Sequence, residues 1–184
     1  MNRLQRTTLA ALSLLAIATP AAAALKPGDA APDFKAQAYL AGKPFTFDLA
    51  QARRKGPVVV YFFPAAHTPG CNLEAHLFSE AVDRFKAQGA TVIGLSAGNI
   101  EQLADFSRET EHCGGRFPVA ADPGAKIAKR YDATLMLRPG WSNRTSYVVS
   151  KDGHISAAFS DLDPKQHVQR MLDAVTAAKE SPRK

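Results

Sequence analysis

A run of six consecutive β-branched or aromatic residues, Val58 to Phe63, constrains the fold more than any other part of this 184-residue chain. The run is too short and too uniformly apolar for a surface helix, so it predicts a strand buried on both faces of a sheet. We expect Pro64 to end this strand because proline has no amide hydrogen to donate. Beyond a turn, Cys71 begins a segment with apolar residues at helical spacing, which predicts a helix as far as Gly89.

The junction between this strand and this helix carries a thiol, that of Cys71. Unpaired backbone N–H groups and the positive end of the helix dipole meet at a helix start, and both favour a negative sulfur over a neutral one. Thiols in such positions are more reactive than ordinary thiols. Cys71 is therefore the candidate nucleophile of the chain.

The rest of the sequence alternates between strand and helix signals. The further elements predicted are, in chain order, a β-hairpin of strands 34–39 and 44–48, a short helix over 49–54, a strand over 90–96, a helix over 100–110, a strand over 117–121, a helix over 125–131, strands over 134–137, 145–150 and 154–159, and a last helix from Pro164 to about Lys179. This alternation predicts one α/β domain over residues 25–184.

The first 24 residues have the pattern of a secretory signal peptide. Arg3 and Arg6 precede an apolar core from Leu9 to Ala18, and small residues follow from Ala21 to Ala24. An uncleaved anchor helix is the alternative, but the apolar core is short for a bilayer. We therefore expect cleavage and a periplasmic or secreted protein.

The charge of the chain is mild once this leader is removed. Without Arg3 and Arg6, the formal net charge of +6 becomes +4. The basic residues are scattered and form no helical stripe interleaved with aromatic residues. The sequence therefore predicts neither nucleic-acid binding nor stable membrane association.

Several motifs together resemble one family. Pro64, Thr68 and Cys71 form a P-x-x-x-T-x-x-C signature, and Glu74 follows within the same segment. The accompanying stretches are PGDAAPDF at 27–34, FPVAADP at 117–123 and RTSYVVSKDGHI at 144–155. In these features the chain resembles the peroxiredoxins, specifically the bacterioferritin-comigratory or PrxQ-like branch of the alkyl hydroperoxide reductase/thiol-specific antioxidant family. The resemblance implies a thioredoxin-like fold in which helices flank a central mixed sheet with an N-terminal β-hairpin.

The resemblance also implies a thiol-dependent peroxidase that reduces hydrogen peroxide and organic hydroperoxides. It implies that Cys71 attacks the peroxide, Thr68 bonds the attacked oxygen, Pro64 shields the sulfur, Arg144 holds the thiolate and Glu74 orients Arg144. Each role has an ordinary structural alternative. Thr68 also fits a helix cap and Pro64 a strand terminator, while Arg144 also fits a surface arginine and Glu74 a carboxylate placed in the first helical turn by the dipole.

The second half of the redox cycle is less defined. The PrxQ-like branch commonly has another cysteine five residues after the first, but this chain has His76 there. Cys113 is the only other cysteine and the candidate resolving thiol, beside the flexible pair Gly114 and Gly115. Two alternatives stay open: an idle Cys113 with an external thiol completing the cycle, and a purely structural disulfide between the cysteines.

The sequence predicts no cofactor and no metal. His67, Cys71, His76, His112 and Cys113 match no zinc-binding spacing. The partners implied are a hydroperoxide and a thiol reductant such as a thioredoxin-like protein, with monomer and homodimer both open.

Two other functions compete with the peroxidase interpretation. A thioredoxin-class thiol–disulfide oxidoreductase is disfavoured because the chain contains no Cys-x-x-Cys. A non-catalytic relative, such as a thiol-dependent chaperone, requires an unreactive Cys71.

Overall fold

The computed structural model describes residues 24–180, so the predicted signal peptide lies outside the described residues except for Ala24. Within this range the strands are β1 (Lys35–Leu40), β2 (Lys43–Asp48), β3 (Val58–Ala65), β4 (Thr91–Gly98), β5 (Val119–Ala121), β6 (Thr134–Leu135), β7 (Arg138–Ser142), β8 (Thr145–Val149) and β9 (Ile155–Ser160). The α-helices are α1 (Leu49–Lys55), α2 (Pro69–Ala87), α3 (Leu103–Arg108), α4 (Lys126–Arg130) and α5 (His167–Glu180). Short 3₁₀ turns precede α3, α4 and α5. None of the described helices is long and apolar enough to span a membrane.

Seven of the strands form one mixed sheet in the order β2-β1-β5-β4-β3-β8-β9. The central strands β3, β4 and β5 run parallel, whereas β8 pairs antiparallel with β3 in a register that sets Phe62 opposite Thr145. The β1–β2 hairpin lies at one edge of the sheet. The predicted α/β fold with a mixed sheet and an N-terminal hairpin is confirmed.

Strand β3 is buried on both faces, as its continuous apolar sequence predicts. Alternate residues of Val58 to Phe63 point to two separate cores, and all six are at most 1% exposed. Tyr61 and Phe63 belong to the core under α2 and α5, and Tyr61 stacks on Phe78 with ring centroids 4.3 Å apart. Each large apolar side chain buried in this way contributes about 1.5–3 kcal/mol of stability.

Helices α2 and α5 cover the face of the sheet that carries the candidate nucleophile. The apolar stripe of α2 includes Phe78, Val82 and Phe85, which are at most 2% exposed. The turn before α5 begins after Asp163, whose carboxylate accepts a hydrogen bond from the amide of Lys165 over 3.1 Å. This cap agrees with the predicted helix start.

Two predictions at the central junction were wrong by a few residues. Strand β3 continues through Pro64 to Ala65, which pairs with Gly98. Pro64 has no pairing partner of its own between the Phe63–Ser96 and Ala65–Gly98 pairs, and its carbonyl oxygen accepts a hydrogen bond from the Ser96 hydroxyl over 3.1 Å. Helix α2 begins at Pro69 instead of Cys71, since proline suits the first helical position.

Two elements farther along the chain also differ from the prediction. The helix predicted over 100–110 is a 3₁₀ turn followed by the shorter α3. The strand predicted over 134–137 is only Thr134–Leu135, and it pairs with the unpredicted β7. Strand β7 contains Pro139 and Gly140, which indicate a turn in sequence but are accommodated in an exposed two-stranded ribbon.

Candidate active site

The sulfur of Cys71 lies in the first turn of α2, directly beyond the carboxyl end of β3. Thr68 is the residue before the helix, and Cys71 is its third residue and 2% exposed. The first amides of a helix have no partner within the helix, so their N–H groups and the helix dipole favour a thiolate here. The structure thus places Cys71 at the helix start that the sequence predicts.

Arg144 is the residue immediately before β8, and it brings a positive charge close to this sulfur. Its Nη2 atom donates to the Cys71 sulfur over 3.5 Å, and its Nε atom donates to the Leu162 carbonyl oxygen over 2.9 Å. Its Nη1 atom donates to Glu74. The side chain is only 5% exposed. Burial disfavours the guanidinium charge, but neighbouring Glu74 and Cys71 outweigh it and raise the pKa of Arg144 above its ordinary value.

Gly70 allows this guanidinium to come close to the helix start. A Cβ atom at position 70 would lie 3.0 Å from Arg144 Nη2, closer than ordinary van der Waals contact. Any larger residue there would press on a side chain that three other groups already hold. The Pro-Gly-Cys sequence therefore contributes space as well as a helix start.

Glu74 anchors Arg144 from one turn farther along α2. Its side chain is fully buried, and burial raises its pKa to about 8, against the opposing effect of Arg144. Its Oε2 atom accepts from Arg144, whereas its Oε1 atom has no hydrogen-bond partner among the described residues. The carboxyl group therefore fixes the guanidinium through its Oε2 atom, while burial opposes its ionisation.

Thr68 orients its hydroxyl toward the backbone of the preceding strand. Its Oγ1 atom donates to the Ala65 carbonyl oxygen over 3.0 Å and makes no capping bond to the amides of α2. The alternative of a side-chain helix cap is therefore wrong for Thr68. With its hydrogen committed to Ala65, the hydroxyl oxygen is left as an acceptor for an incoming hydroxyl group.

Cys113 lies in a more closed environment than its glycine neighbours predict. Its side chain is fully buried, and burial raises the pKa of its thiol well above the usual range. The carbonyl oxygen of Cys113 accepts a hydrogen bond from the Ser79 hydroxyl over 3.0 Å. The Gly114 amide donates to the backbone carbonyl oxygen of Glu109 over 2.8 Å. Both cysteines are free thiols in this structure, and both belong to the core on the α2 side of the sheet.

Comparison with known proteins identifies the family of this arrangement. The model of the AhpC/TSA family matches residues 27–158. The chain belongs to the AhpC/TSA family. The resemblance to its PrxQ-like branch is confirmed by curated relatives such as the chloroplastic peroxiredoxin Q of Sedum lineare, 31% identical over 124 residues, or 67% of this chain and 65% of the relative. Chloroplastic peroxiredoxin Q of Arabidopsis thaliana is 30% identical over 152 residues, or 82% of this chain and 67% of the relative.

Two solved structures share the fold of this chain. Peroxidoxin BcpB from Mycobacterium tuberculosis superposes with a TM-score of 0.73 at 25% identity, covering 83% of this chain and 97% of BcpB. AhpC from the same organism gives a TM-score of 0.73 at 20% identity, covering 86% of this chain and 95% of AhpC. Against the curated peroxiredoxin Q relatives, the chain spans roughly half to two thirds of their length, from 52% to 67%.

Within this AhpC/TSA-family site, sequence reasoning missed the packing of His167 beside Glu74. His167 is fully buried at the start of α5, and its Nδ1 atom lies 3.6 Å from Glu74 Oε1. Its Nε2 atom donates to the Asp161 carbonyl oxygen over 2.9 Å, so Nδ1 accepts from the Ser146 hydroxyl over 2.8 Å. Burial lowers the pKa of His167, which agrees with a neutral ring. In the sequence, His167 comes shortly after Pro164, the predicted start of the last helix. Nothing in that pattern indicates that His167 lies beside Glu74.

Proposed function

We propose that this protein is a thiol-dependent peroxidase in which Cys71 attacks a hydroperoxide. The observation that carries the proposal is the 3.5 Å contact between Arg144 Nη2 and the Cys71 sulfur at a helix start. A permanent cation and free helix amides both stabilise the thiolate, which is the nucleophilic form. An arginine buried only to fill space has no reason to donate to sulfur.

The first chemical step follows from these positions. The Cys71 thiolate attacks one oxygen of the hydroperoxide, an S–O bond forms, and the O–O bond breaks. The leaving oxygen takes a proton from solvent, equivalent to the one that Cys71 released on ionising, and departs as water or an alcohol, while Cys71 becomes a sulfenic acid. Arg144 retains its charge throughout, so it can donate hydrogen bonds to the peroxide oxygens as negative charge moves onto them.

Thr68 and Pro64 complete the proposed pocket. The Thr68 hydroxyl donates to Ala65, so its oxygen accepts the hydrogen of the peroxide and aligns the O–O bond with the sulfur. Pro64 is the second-last residue of β3, and we propose that it shields the sulfur from bulk water. Glu74 holds Arg144 and so acts as a positioning residue.

We further propose that Cys113 resolves the sulfenic acid. Its thiol condenses with the Cys71 sulfenic acid, a disulfide forms and one water is released. The resulting disulfide is then reduced by an external dithiol, such as a thioredoxin-like protein. Because both sulfurs are buried, the first turn of α2 or the segment around Cys113 must open locally before the bond can form.

We also propose that the protein works outside the cytoplasm, on hydrogen peroxide and organic hydroperoxides. Support for export comes from Arg3 and Arg6 before an apolar core and from the small residues up to Ala24. Expression of the full chain with an inserted reporter, followed by N-terminal mass measurement, tests this. A protein that keeps its first 24 residues and stays in the cytoplasm would contradict export.

The peroxidase proposal is tested by peroxide consumption with an excess of dithiol. Wild-type protein is expected to turn over hydrogen peroxide, and Cys71→Ser to lose turnover while keeping its fold by circular dichroism. Near-normal consumption by Cys71→Ser would reject the proposal. Reduction of insulin disulfides without peroxide turnover would instead identify a thiol–disulfide oxidoreductase.

A further inference from the structure

Three potential metal ligands meet beside the candidate active site. His67 lies on the turn between β3 and α2, while Glu109 and His112 lie on the segment after α3. Their ligand atoms all lie within 4.8 Å of one another. They form the one such group of three histidine, cysteine or carboxylate side chains within residues 24–180. Sequence spacing did not reveal it because Glu109, the central ligand, is distant from His67 in the chain.

The distances between these ligand atoms suit a small divalent cation. The carboxylate atom Glu109 Oε2 lies 2.7 Å from His67 Nε2 and 3.4 Å from His112 Nε2. Zinc bonds of about 2.0–2.2 Å in tetrahedral geometry separate two ligand atoms by about 3.3–3.6 Å. Binding therefore requires Glu109 Oε2 and His67 Nε2 to separate by about 0.6–0.9 Å, and the most distant pair of ligand atoms, at up to 4.8 Å, to approach by at most about 1.5 Å.

The side-chain amide of Gln102 orients the imidazole of His67 for metal binding. The Gln102 Oε1 atom lies 2.7 Å from His67 Nδ1, and the amide nitrogen of Gln102 faces Glu101 at 3.4 Å. An amide oxygen accepts only, so Nδ1 carries a hydrogen and Nε2 faces Glu109. Metal-binding histidines are commonly held in this way, by a hydrogen bond from the other ring nitrogen.

Packing fixes both rings around the group. Phe106 contacts His67 edge-on with centroids 5.3 Å apart, and its centroid lies 4.8 Å from that of His112. The side chain of His112 is 13% exposed, and its Nδ1 atom has no hydrogen-bond partner among the described residues. His67 also holds a left-handed backbone conformation, with φ of 58°, which is uncommon for residues other than glycine.

We propose that His67, Glu109 and His112 form a binding site for Zn²⁺ or a similar divalent transition ion. Two imidazoles and one carboxylate are a set that zinc accepts, with a fourth position left for water. His67 and Glu109 are each about a third exposed, at 30% and 36%, so solvent reaches the site. The alternative is an ordinary ion pair, in which His67 and Glu109 share a proton and no metal is bound.

Metal binding here has a structural consequence beyond peroxidase chemistry. His67 directly precedes Thr68, and His112 directly precedes Cys113. A bound ion therefore ties the turn that enters α2 to the segment that ends at Cys113. Because ligand binding to the folded state opposes local opening, the ion should slow hydrogen exchange across residues 109–115.

The chain offers a matched control in His76 and Glu80. They also pair a histidine with a carboxylate, at 3.5 Å on α2, but no third ligand from residues 24–180 joins them. His76→Gln is therefore expected to bind zinc as wild-type protein does. His67→Asn, Glu109→Gln and His112→Gln each remove one ligand, and asparagine tolerates the left-handed backbone at position 67.

The experiment uses reduced, chelator-treated protein titrated with Zn²⁺ by calorimetry and with Co²⁺ by visible absorption. We expect one ion per chain in wild type and in His76→Gln. Removing the supporting residue in Gln102→Ala should weaken binding by roughly 10–100-fold, and each ligand variant should weaken it more. Circular dichroism checks that each variant is folded. Zinc should slow hydrogen exchange over residues 109–115 in wild-type protein but in none of the three ligand variants.

Three outcomes would overturn the proposal. The first is no binding by wild-type protein. The second is unchanged binding in both Glu109→Gln and His112→Gln. The third is intense sulfur-to-cobalt absorption in the near ultraviolet, which would assign the ion to Cys71 or Cys113 instead. The peroxidase proposal survives each of these results, because it rests on Cys71 and Arg144.

Discussion

Arg144 donates to the sulfur of Cys71 over 3.5 Å although the two residues are 73 positions apart in the chain. The contact joins the start of one helix to the start of one strand, and Glu74 and Leu162 hold the guanidinium in place. The consequences of this contact can be measured separately from the fold.

Removing the cation should slow the reaction of Cys71. A hydrogen bond to a charged group contributes about 1.5–3 kcal/mol, so Arg144→Met should react with peroxide roughly 10–100-fold more slowly. Stopped-flow peroxide reduction and iodoacetamide alkylation at fixed pH both report the change. Because Arg144→Met leaves Glu74 buried without its partner, the double variant Arg144→Met/Glu74→Gln serves as the folded comparison. Unchanged rates in both would show that the helix start alone activates the thiol.

The Thr68 hydroxyl should matter for rate and little for stability. Loss of a group that aligns the reacting atoms costs on the order of 10² in rate, so Thr68→Val should fall by about that factor. Thr68→Ser keeps the hydroxyl and should stay near wild type. Turnover under excess dithiol measures both variants. A loss below threefold in Thr68→Val would reject the role of the hydroxyl in binding peroxide.

The buried Glu74 should make stability depend on pH. Its pKa rises from 4.5 to about 8 on folding, so the folded state binds this proton more tightly than the unfolded state. Its contribution to stability is therefore fully present below about pH 4.5 and is lost as the pH rises through 8. Relative to Glu74→Gln, wild-type protein should lose unfolding free energy over this window in urea denaturation. Exposed Glu80→Gln is the control, and a difference that grows in favour of wild type would show an ionised Glu74 in the folded protein.

The role of Cys113 can be read from the mass of the protein. If Cys113 resolves the sulfenic acid, one equivalent of peroxide should remove two hydrogens and both thiols from wild type, with no oxygen gained. Cys113→Ser should instead gain one oxygen on Cys71, and a second at excess peroxide. Wild-type protein that gains an oxygen and keeps a free Cys113 would show that an outside thiol completes the cycle.

Local sequence was sufficient for the central part of the fold. Six consecutive apolar residues in β3 need burial on both faces, and the apolar stripe of α2 needs one covered face, so both elements follow from hydrophobic pattern. Their ends were less predictable. The pairing of Ala65 with Gly98 carries β3 past Pro64, and this is a contact that local sequence does not contain.

The candidate site combines local and long-range information. The motif predicts that Cys71 and Thr68 lie on one turn, and the family resemblance implies the approach of Arg144. Sequence gives no signal for the Leu162 carbonyl or for His167, because their contacts depend on how β9 and α5 return to the sheet. The direction of the Thr68 hydroxyl likewise depends on the Ala65 carbonyl.

The backbone register of two neighbouring strands determines how far the cation lies from the nucleophile. Cys71 follows β3, Arg144 immediately precedes β8, and the pairing of Phe62 with Thr145 aligns the two strand ends. A slip by one residue would move Arg144 along the sheet by about 3.3 Å and turn the side chains of β8 to the opposite face. The hydrogen bonds between β3 and β8 therefore set the distance between Arg144 and Cys71. Mutations far from the sulfur that loosen this pairing should reduce the reactivity of Cys71 without changing any residue of the P-x-x-x-T-x-x-C motif.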